Sequence, residues 1–423
     1  MAMERFDDIW TRAALTVRRG AFTPQGSFCR TQKGETCRLC WASRLPYEDE
    51  IRAKQTALQQ FWSASVPSCP LDPLIPSTQG RGYRTVSKRK LFRAGRDRIL
   101  GLIDPEADSG GAVPVLQCAI EPEWHAAVYR RAGDLLARPH SGALQEMLQY
   151  VVLKGNDREC IALLTVREIE RDVVKAANVV SKGLTASGLP VAGVYLYEDD
   201  SGGRYYLGTR TAGAPGKLLR LYGVKTLSHR TAGKRFVYTP LAFSQVNQGM
   251  LDTMVGQTAL LLGTPLSGTL YDLYCGYGLF GLSLAGRVRR VVGADISPDA
   301  IAAAQENAKQ FGLAQTRFVR NNLNADAVHT LLRQCRREDR VLLDPPRGGT
   351  AEGVLETIAA SGPGRVVHIF CNIDLVSAEV KRWTTSGYTP VRAVPVDMFP
   401  GTSTVEILAA FSPSGENRPG ALR

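Results

Sequence analysis

The spacing of apolar and polar residues changes at about residue 241. From there to the C-terminus, short apolar runs alternate with segments of helical spacing, which is typical of a parallel α/β sheet. A helix is predicted from about Phe280, and another begins at Ser297-Pro298, where serine suits the N-cap and proline the first turn. The predicted strands are 269–274, 291–294, 316–320, 340–343, 366–370, 391–396 and 404–411.

The first 240 residues have less regular spacing. Residues 1–28 show no strong periodicity and are predicted to form a short leader. Pro46 is predicted to open a helix. The prolines between residues 67 and 76 then indicate a linker. One face of the predicted helix carries Tyr47, Ile51, Leu58, Phe61 and Trp62.

Residues 81–240 are predicted to form mostly short strands, separated by glycine-rich turns. Leu144, Met147 and Val151 have helical spacing and are predicted to lie on a helix. We therefore divide the chain into three parts: an N-terminal segment (1–80), a central, mostly β domain of mixed α+β character (81–240), and an α/β domain (241–423).

The charge of the chain indicates a polyanionic partner. The 423 residues carry a formal net charge of +12. Residues 81–98 hold eight Lys or Arg and one acid, and residues 204–240 hold eight and no acid. Aromatic residues (Tyr205, Tyr206, Tyr222, Phe236 and Tyr238) interrupt the second segment. Cations suit phosphates and aromatic rings suit unstacked bases, so these segments are predicted to bind RNA; the alternative is a solvated sheet face.

The chain has no sequence feature of a secreted or membrane protein. No apolar stretch approaches the roughly 18 residues that span a bilayer. The N-terminus lacks the apolar core of a signal peptide. We therefore expect a cytoplasmic protein without a membrane partner, and a monomer.

Three of the nine cysteines are clustered. Cys29, Cys37 and Cys40 form a C-x7-C-x2-C pattern, which in a cytosolic protein is more often a metal site than stray thiols. A fourth ligand has to come from elsewhere, and Cys118 is preferred to Cys69. Four thiolates would suit tetrahedral zinc or an iron–sulfur cluster, and the spacing leaves both open.

A glycine turn after the first strand of the α/β domain predicts a nucleotide cofactor. Gly276, Gly278 and Gly281 satisfy G-x-G-x-x-G, and Asp295 ends the next strand, where a carboxylate can accept ribose hydroxyls. Asn322, after the third strand, is a candidate for the adenine edge. The motif leaves NAD open beside S-adenosylmethionine, and a structural turn with a capping aspartate is the alternative.

Three polar residues lie near the ends of later strands. Asp344 precedes paired prolines that hold an extended loop. Cys371 follows an apolar strand, and Glu406 lies at the start of the last one. A thiol and a carboxylate at strand ends suggest a nucleophile and a base, although a buried structural cysteine is the commoner fate of a free thiol. An electropositive surround would help to form the thiolate.

The C-terminal half resembles the RNA uracil-5-methyltransferases that act on tRNA and 23S rRNA. The shared motifs are Ser244-Gln245-Val246-Asn247, Asp272-Leu273-Tyr274-Cys275-Gly276, Asp344-Pro345-Pro346-Arg347, Cys371-Asn372, and Asp397-Met398-Phe399-Pro400 through Glu406. The four cysteines resemble the [4Fe–4S] site of rRNA-acting members. The chain is most similar to the 23S rRNA enzymes without an N-terminal oligonucleotide-binding barrel.

The resemblance implies a Rossmann-like, S-adenosylmethionine-dependent methyltransferase domain and an RNA substrate, most often 23S rRNA. It implies that Cys371 is the nucleophile and Glu406 the base. The residues that it places around the cofactor are Gln245, Tyr274, Gly276, Asp295, Asn322 and Asp344. It also implies a [4Fe–4S] cluster on Cys29, Cys37, Cys40 and Cys118, with zinc as the alternative.

The expected reaction is methyl transfer to C5 of a uridine through a covalent adduct between Cys371 and C6. Leu279 stands where many members have Asn, and Ile373 where many have Pro. Neither departure removes a group that the chemistry requires. The alternatives are a tRNA substrate, a methyltransferase for a small molecule or protein, and a non-catalytic RNA-binding iron–sulfur or zinc protein.

Overall fold

The computed structural model describes residues 4–17, 30–31, 37, 39–94, 97–103, 111–199, 216–263 and 267–415. The α-helices are α1 (Phe6–Val17), α2 (Tyr47–Ser65), α3 (Glu123–Leu136), α4 (Gly142–Met147), α5 (Arg171–Thr185), α6 (Leu251–Leu262), α7 (Leu279–Leu284), α8 (Pro298–Gln310), α9 (Ala325–Leu332), α10 (Val354–Ala360) and α11 (Val376–Thr385). The strands are β1 (Arg30–Thr31), β2 (Val86–Ala94), β3 (Asp97–Ile103), β4 (Ala112–Val113), β5 (Val115–Gln117), β6 (Leu148–Gly155), β7 (Cys160–Val166), β8 (Val191–Glu198), β9 (Leu218–Gly223), β10 (Leu227–Thr231), β11 (Lys234–Tyr238), β12 (Thr269–Leu273), β13 (Arg290–Asp295), β14 (Thr316–Arg320), β15 (Arg340–Leu343), β16 (Arg365–Phe370), β17 (Tyr388–Val396) and β18 (Glu406–Pro413).

The C-terminal part forms a seven-stranded sheet in the order β14-β13-β12-β15-β16-β18-β17. Neighbouring strands from β14 to β16 run parallel, and β18 runs antiparallel to both of its neighbours. The order reverses at β12, between β13 and β15. In such sheets ligands bind beyond the carboxyl ends of the parallel strands, near the reversal. The predicted Rossmann-like α/β fold is confirmed.

The elements predicted for this sheet are confirmed, with shifts of a few residues at some ends. Strand β14 spans the predicted 316–320 and β15 the predicted 340–343. Helix α8 begins at Pro298, and the Ser297 hydroxyl accepts a hydrogen bond from the Ala300 amide at 3.2 Å. Here the chemistry of adjacent residues was sufficient, because a helix cap is a local structure.

The central part forms a second seven-stranded sheet in the order β4-β3-β2-β6-β7-β8-β9. Helices α3 and α5 cover one face, and the other packs against the C-terminal part through Tyr150, Ile161 and Tyr195. The sequence reading missed these two helices. It was also wrong about Val151, which lies on β6 after the short helix α4.

The N-terminal helices pack on the C-terminal sheet. Residues 1–28 were expected to be an aperiodic leader, but Phe6, Ile9, Trp10 and Ala14 form the buried face of α1. The predicted helix α2 is confirmed, and both helices join one apolar cluster with β12, β15 and β16. The divisions at residues 80 and 240 stay predictions. No helix in the described ranges has the length and apolarity to cross a membrane.

Candidate active site

The glycine turn after β12 has an unusual backbone. Tyr274, Gly276 and Gly278 have φ values of +62°, +54° and +83°. Left-handed backbone is strained for tyrosine and favours glycine at the other two positions. A side chain at Gly278 would come within 2.8 Å of Leu282, whereas a Cβ at Gly276 would meet no atom within 4 Å. The turn therefore leaves its Gly276 face open to a ligand.

Asp295, at the end of β13, is tied to this turn. One carboxylate oxygen accepts the Gly276 amide at 3.0 Å and the other accepts the Ser297 amide at 2.8 Å. Each oxygen has lone pairs left for a further donor. Burial raises the pKa of Asp295, and the hydrogen bonds from Ser297 and Gly276 oppose that rise.

Asp272 opens one of the shared motifs but was not among the predicted cofactor residues. It is buried on β12, where one carboxylate oxygen accepts the Gly281 amide at 2.8 Å and the other has no hydrogen-bond partner among the described residues. Burial raises the pKa of Asp272 to about 7. A buried acceptor without a donor suits a cationic ligand group. The Asp272-x-x-Cys275-Gly276 run was the available signal.

Cys371 and Glu406 come together at the ends of β16 and β18. The antiparallel register pairs Phe370 with Ile407, so the next residues along each strand are Cys371 and Glu406. The Cys371 thiol donates to the Pro345 carbonyl at 3.6 Å. Glu406 is buried, and its Oε2 has no hydrogen-bond partner in the part of the chain that the structure describes. A thiol beside an unpartnered carboxylate can act as a nucleophile with a neighbouring base.

Asp344 lies between the glycine-turn acids and this pair. Burial raises the pKa of Asp344 to about 7, with a smaller contribution from the charge of Asp295. Burial and the charge of Asp344 then raise the pKa of Glu406 to about 8. Because each of these charges acts on the next, the carboxylates of Asp295, Asp344 and Glu406 line one continuous region.

Cys371 lacks the electropositive surround that would help to form its thiolate. Burial, followed by the charges of Glu406 and Asp344, raises the pKa of Cys371 to about 12. Among the described charged groups that act on the thiol, Arg347 opposes this rise. The sequence does not show which strand ends are neighbours in the sheet, so these carboxylates could not be placed from it.

Gln245 and Asn322 lie at the margins of this region. Gln245 is buried in a segment that joins the start of β2, where the Thr85 amide donates to the Val246 carbonyl at 2.9 Å. Asn322 is exposed and follows Asn321, whose amide donates to the Asp295 carbonyl at 2.9 Å. Within the described part of the chain, no hydrogen bond or ion pair joins either side chain to the other predicted site residues.

Phe243 is an exposed aromatic residue two positions before Gln245. Its relative accessibility is 59%, whereas the nearby Tyr238 is fully buried. A ring exposed to this extent can stack on an unpaired base. The sequence offered a weak signal, because Phe243 directly precedes the Ser244–Asn247 motif.

The predicted metal ligands are only partly described. Cys29 lies outside the described residues. Its neighbour Arg30 pairs with Gln117, the neighbour of Cys118. Cys37 is buried with Val115, and Cys118 packs against this small cluster. The described residues alone contain no group of three or more metal-ligating side chains.

The competing ligand Cys69 lies elsewhere. Its thiol donates to the Pro70 carbonyl at 3.5 Å, and it belongs to the apolar cluster around α1 and α2. Burial raises the pKa of Cys69 to about 11. Cys118, which packs beside Cys37, is the better of the two candidates for a shared site.

The basic segments contain core residues as well as surface residues. Arg89 belongs to the segment 81–98, which was predicted to bind RNA. It is buried and forms a bidentate ion pair with Glu121 at 2.8 and 2.9 Å, so it is not available to phosphates and the prediction is wrong for this residue. Phe236 and Tyr238 pack against His229 and Tyr277 and are not available to bases. Tyr222 is half exposed, and Tyr205 and Tyr206 lie outside the described residues.

Comparisons with known proteins agree on one family. Residues 222–409 match the family model described as tRNA (Uracil-5-)-methyltransferase. The 23S rRNA (uracil(1939)-C(5))-methyltransferase RlmD of Edwardsiella ictaluri is 34% identical over 399 residues, which cover 93% of this chain and 84% of that protein. An uncharacterized RNA methyltransferase of Geobacter sulfurreducens is 31% identical, over 89% of this chain and 76% of its own.

The fold also matches a solved structure. The tRNA (uracil-54, C5)-methyltransferase of Pyrococcus abyssi, in complex with S-adenosyl-L-homocysteine, superposes with a TM-score of 0.65. The match covers 89% of this chain and 87% of that one, at 19% sequence identity. At this identity the likeness concerns the fold alone.

Proposed function

Because the chain belongs to the RNA uracil-5-methyltransferase family, whose members are S-adenosylmethionine-dependent enzymes, we propose that it methylates C5 of a uridine in 23S rRNA through a Cys371 adduct. The observation that carries this proposal is the pairing of Cys371 with the unpartnered carboxylate of Glu406, beside Asp344. C5 of uracil is a weak nucleophile, and a thiolate that adds to C6 makes it a strong one.

Cys371 and Glu406 act in different steps of the proposed reaction. The Cys371 thiol first releases its proton to solvent; the thiolate then forms a bond to C6, and the electrons of the C5–C6 double bond move toward C5 and the C4 carbonyl. S-adenosylmethionine, when bound, supplies an electrophilic methyl group for C5. Glu406 then takes the C5 proton; the released electron pair restores the double bond, the Sγ–C6 bond breaks and the thiolate is regenerated.

The open face of the glycine turn fits the cofactor. Gly276 allows close approach, Asp295 offers acceptors for ribose hydroxyls, and the unpartnered oxygen of Asp272 suits an ammonium group. We assign Tyr274, Asn322 and Asp344 to the same site, with Gln245 and Asp344 near the uracil. Arg347 is the cation whose charge favours the thiolate.

The choice of 23S rRNA rests on the relative from Edwardsiella ictaluri, which matches nearly the whole chain. The family model bears a tRNA name, and tRNA is therefore the second candidate. The net charge of +12 and the exposed ring of Phe243 support an RNA substrate of either kind. The target uridine has to leave its stack to reach a buried thiol.

Labelled S-adenosylmethionine, with separated 23S rRNA and tRNA, tests the proposal. Wild type is expected to label 23S rRNA, and Cys371→Ala to lose at least about 10³-fold in rate. Glu406→Gln is expected to accumulate an SDS-stable adduct with RNA, because the C5 proton stays in place. Methylation that survives Cys371→Ala refutes the mechanism, labelling of tRNA alone moves the substrate to tRNA, and RNA binding without labelling supports a non-catalytic protein.

We also propose that Cys29, Cys37, Cys40 and Cys118 hold a [4Fe–4S] cluster, with zinc as the alternative. The packing of Cys118 beside Cys37 and the pairing of Arg30 with Gln117 support this set. Anaerobic purification with iron, sulfide and zinc assays tests it. About four irons per chain, lost in Cys118→Ser but kept in Cys69→Ser, are expected. Stoichiometric zinc, or no metal, contradicts the cluster.

A further inference from the structure

Four charged groups and a tyrosine connect α2 to the loop that precedes the proposed base. Lys54 Nζ lies 2.8 Å from Asp397 Oδ1 and 3.1 Å from Glu50 Oε1, and all three side chains are fully buried. The Tyr47 hydroxyl donates to the other Asp397 oxygen at 2.9 Å. Arg81 reaches Glu50 Oε2 at 3.1 Å and brings the group to neutrality. We call Tyr47, Glu50, Lys54, Arg81 and Asp397 the α2 ion network.

The α2 ion network also holds the backbone of the loop 397–405. Lys54 Nζ donates to the Phe399 carbonyl at 3.2 Å, and the Gly401 amide donates to Glu50. The Tyr83 hydroxyl donates to the Pro400 carbonyl at 2.9 Å, and the Trp41 amide donates to the Gly401 carbonyl at 2.7 Å. These contacts come from residues 41–83, more than 300 positions away in the chain, so this part of the chain holds the loop in place.

The loop ends at Glu406. Val396 pairs with Glu406, so the loop leaves β17 and returns to β18 at one point of the sheet. No described residue forms a hydrogen bond with Oε2 of Glu406, so the position of this oxygen depends on the backbone at residue 406. A shift of the loop moves the base relative to Cys371.

We infer that the α2 ion network positions Glu406 for removal of the C5 proton, and that Lys54 and Asp397 are positioning residues for this step. The inference rests on the proposed function. Its physical basis is that a buried charge without its partner is strongly unfavourable, so removing one member forces the others to rearrange. A displacement of about 1 Å at a reacting group can cost on the order of 10²-fold in rate.

The ion pair of Arg392 with Asp72 lies near the network but does not hold the loop. The two side chains lie 2.7 Å apart and are part-exposed; Asp72 belongs to the 71–77 segment and Arg392 to β17, before the loop begins. This pair supplies a matched control, because its loss should leave the loop 397–405 in place.

The test is single-turnover methylation with labelled S-adenosylmethionine and RNA, followed by SDS gels, for Asp397→Asn, Lys54→Met, Arg392→Gln and Glu406→Gln. We expect Asp397→Asn and Lys54→Met to form the methylated Cys371 adduct at near wild-type rate but to resolve it about 10- to 100-fold more slowly. The dissociation constant for S-adenosylhomocysteine should stay within about twofold of wild type. Arg392→Gln should resolve the adduct normally.

The outcomes separate the inference from the proposed function. Failure of Glu406→Gln to accumulate adduct refutes the proposed mechanism. If Glu406→Gln accumulates adduct but Asp397→Asn and Lys54→Met resolve it at the wild-type rate, the inference is wrong. Parallel loss of adduct formation, adduct resolution and S-adenosylhomocysteine binding in these two variants also overturns it, because that pattern indicates general unfolding.

Discussion

Cys371 and Glu406 occupy adjacent places across the antiparallel strands β16 and β18, one position beyond the Phe370–Ile407 pair. Burial and the charge of Asp344 raise the pKa of Glu406 to about 8, and burial together with the charges of Glu406 and Asp344 raises the pKa of Cys371 to about 12. Without bound ligands, the site therefore favours a neutral thiol and a largely protonated carboxyl group at pH 7.

Glu406→Gln should stabilise the ligand-free protein at alkaline pH. The folded-state pKa of Glu406, about 8, lies above the ordinary value of 4.5, so the unfolded chain releases this proton first. Wild-type stability is therefore fully present below about pH 4.5 and falls until about pH 8, whereas glutamine does not titrate. We expect the variant to gain about 2–4 kcal/mol at pH 9 and nothing at pH 4, measured by chemical denaturation. Glu356→Gln, whose carboxyl pKa is lowered by Arg382, should show no such gain at pH 9.

Asn307→Asp should weaken cofactor binding. The Asn307 amide is fully buried, and its nitrogen donates to the Val237 and Tyr277 carbonyls at 2.9 and 3.1 Å. A carboxylate would face both carbonyls without a donor, which disturbs the glycine turn. We expect KM for S-adenosylmethionine to rise about 5- to 10-fold, a loss of about 1 kcal/mol. Gln305→Ala, which removes a bond to Phe318 from the same helix, should leave KM unchanged.

Arg89→Leu should affect stability and Lys90→Ala should affect RNA binding, although the two residues are neighbours on β2. Arg89 is buried against Glu121, so its loss strands a carboxylate and should cost about 3–5 kcal/mol of stability. Lys90 is exposed, and its loss should lower the salt dependence of RNA binding by about one counterion without affecting stability. Denaturation curves and binding titrations at several salt concentrations measure both. A reduced salt slope in folded Arg89→Leu would contradict this assignment.

Phe243→Ala should weaken RNA binding. The exposed ring beside Gln245 is placed to stack on a base, and such a contact is worth about 1–3 kcal/mol. Leu260 on α6 is exposed to the same extent, at 58%, and Leu260→Ala is the matched control for loss of surface apolar area. Equal affinities of the two variants for a single-stranded RNA oligonucleotide would argue against stacking by Phe243.

Several features of the site could be read locally. The strands of the α/β sheet, the Ser297 cap and the glycine turn appear where the sequence predicted them, because each depends on residues close together in the chain. The periodicity of the apolar residues and the residue types at the turns are sufficient to predict such structures. Helix α1 was missed, although its buried residues Phe6, Ile9, Trp10 and Ala14 have helical spacing.

The sequence by itself determined the family and the fold class and predicted which groups carry chemistry, since motifs and strand patterns are properties of contiguous residues. Only the tertiary structure decided what surrounds those groups. It placed Arg89 in the core, surrounded Cys371 with carboxylates, and made Asp397 the partner of a buried lysine from α2. The reason is physical. Burial and electrostatic interactions depend on the distances between segments that are hundreds of residues apart in the chain, and the sheet register and the helix packing determine those distances.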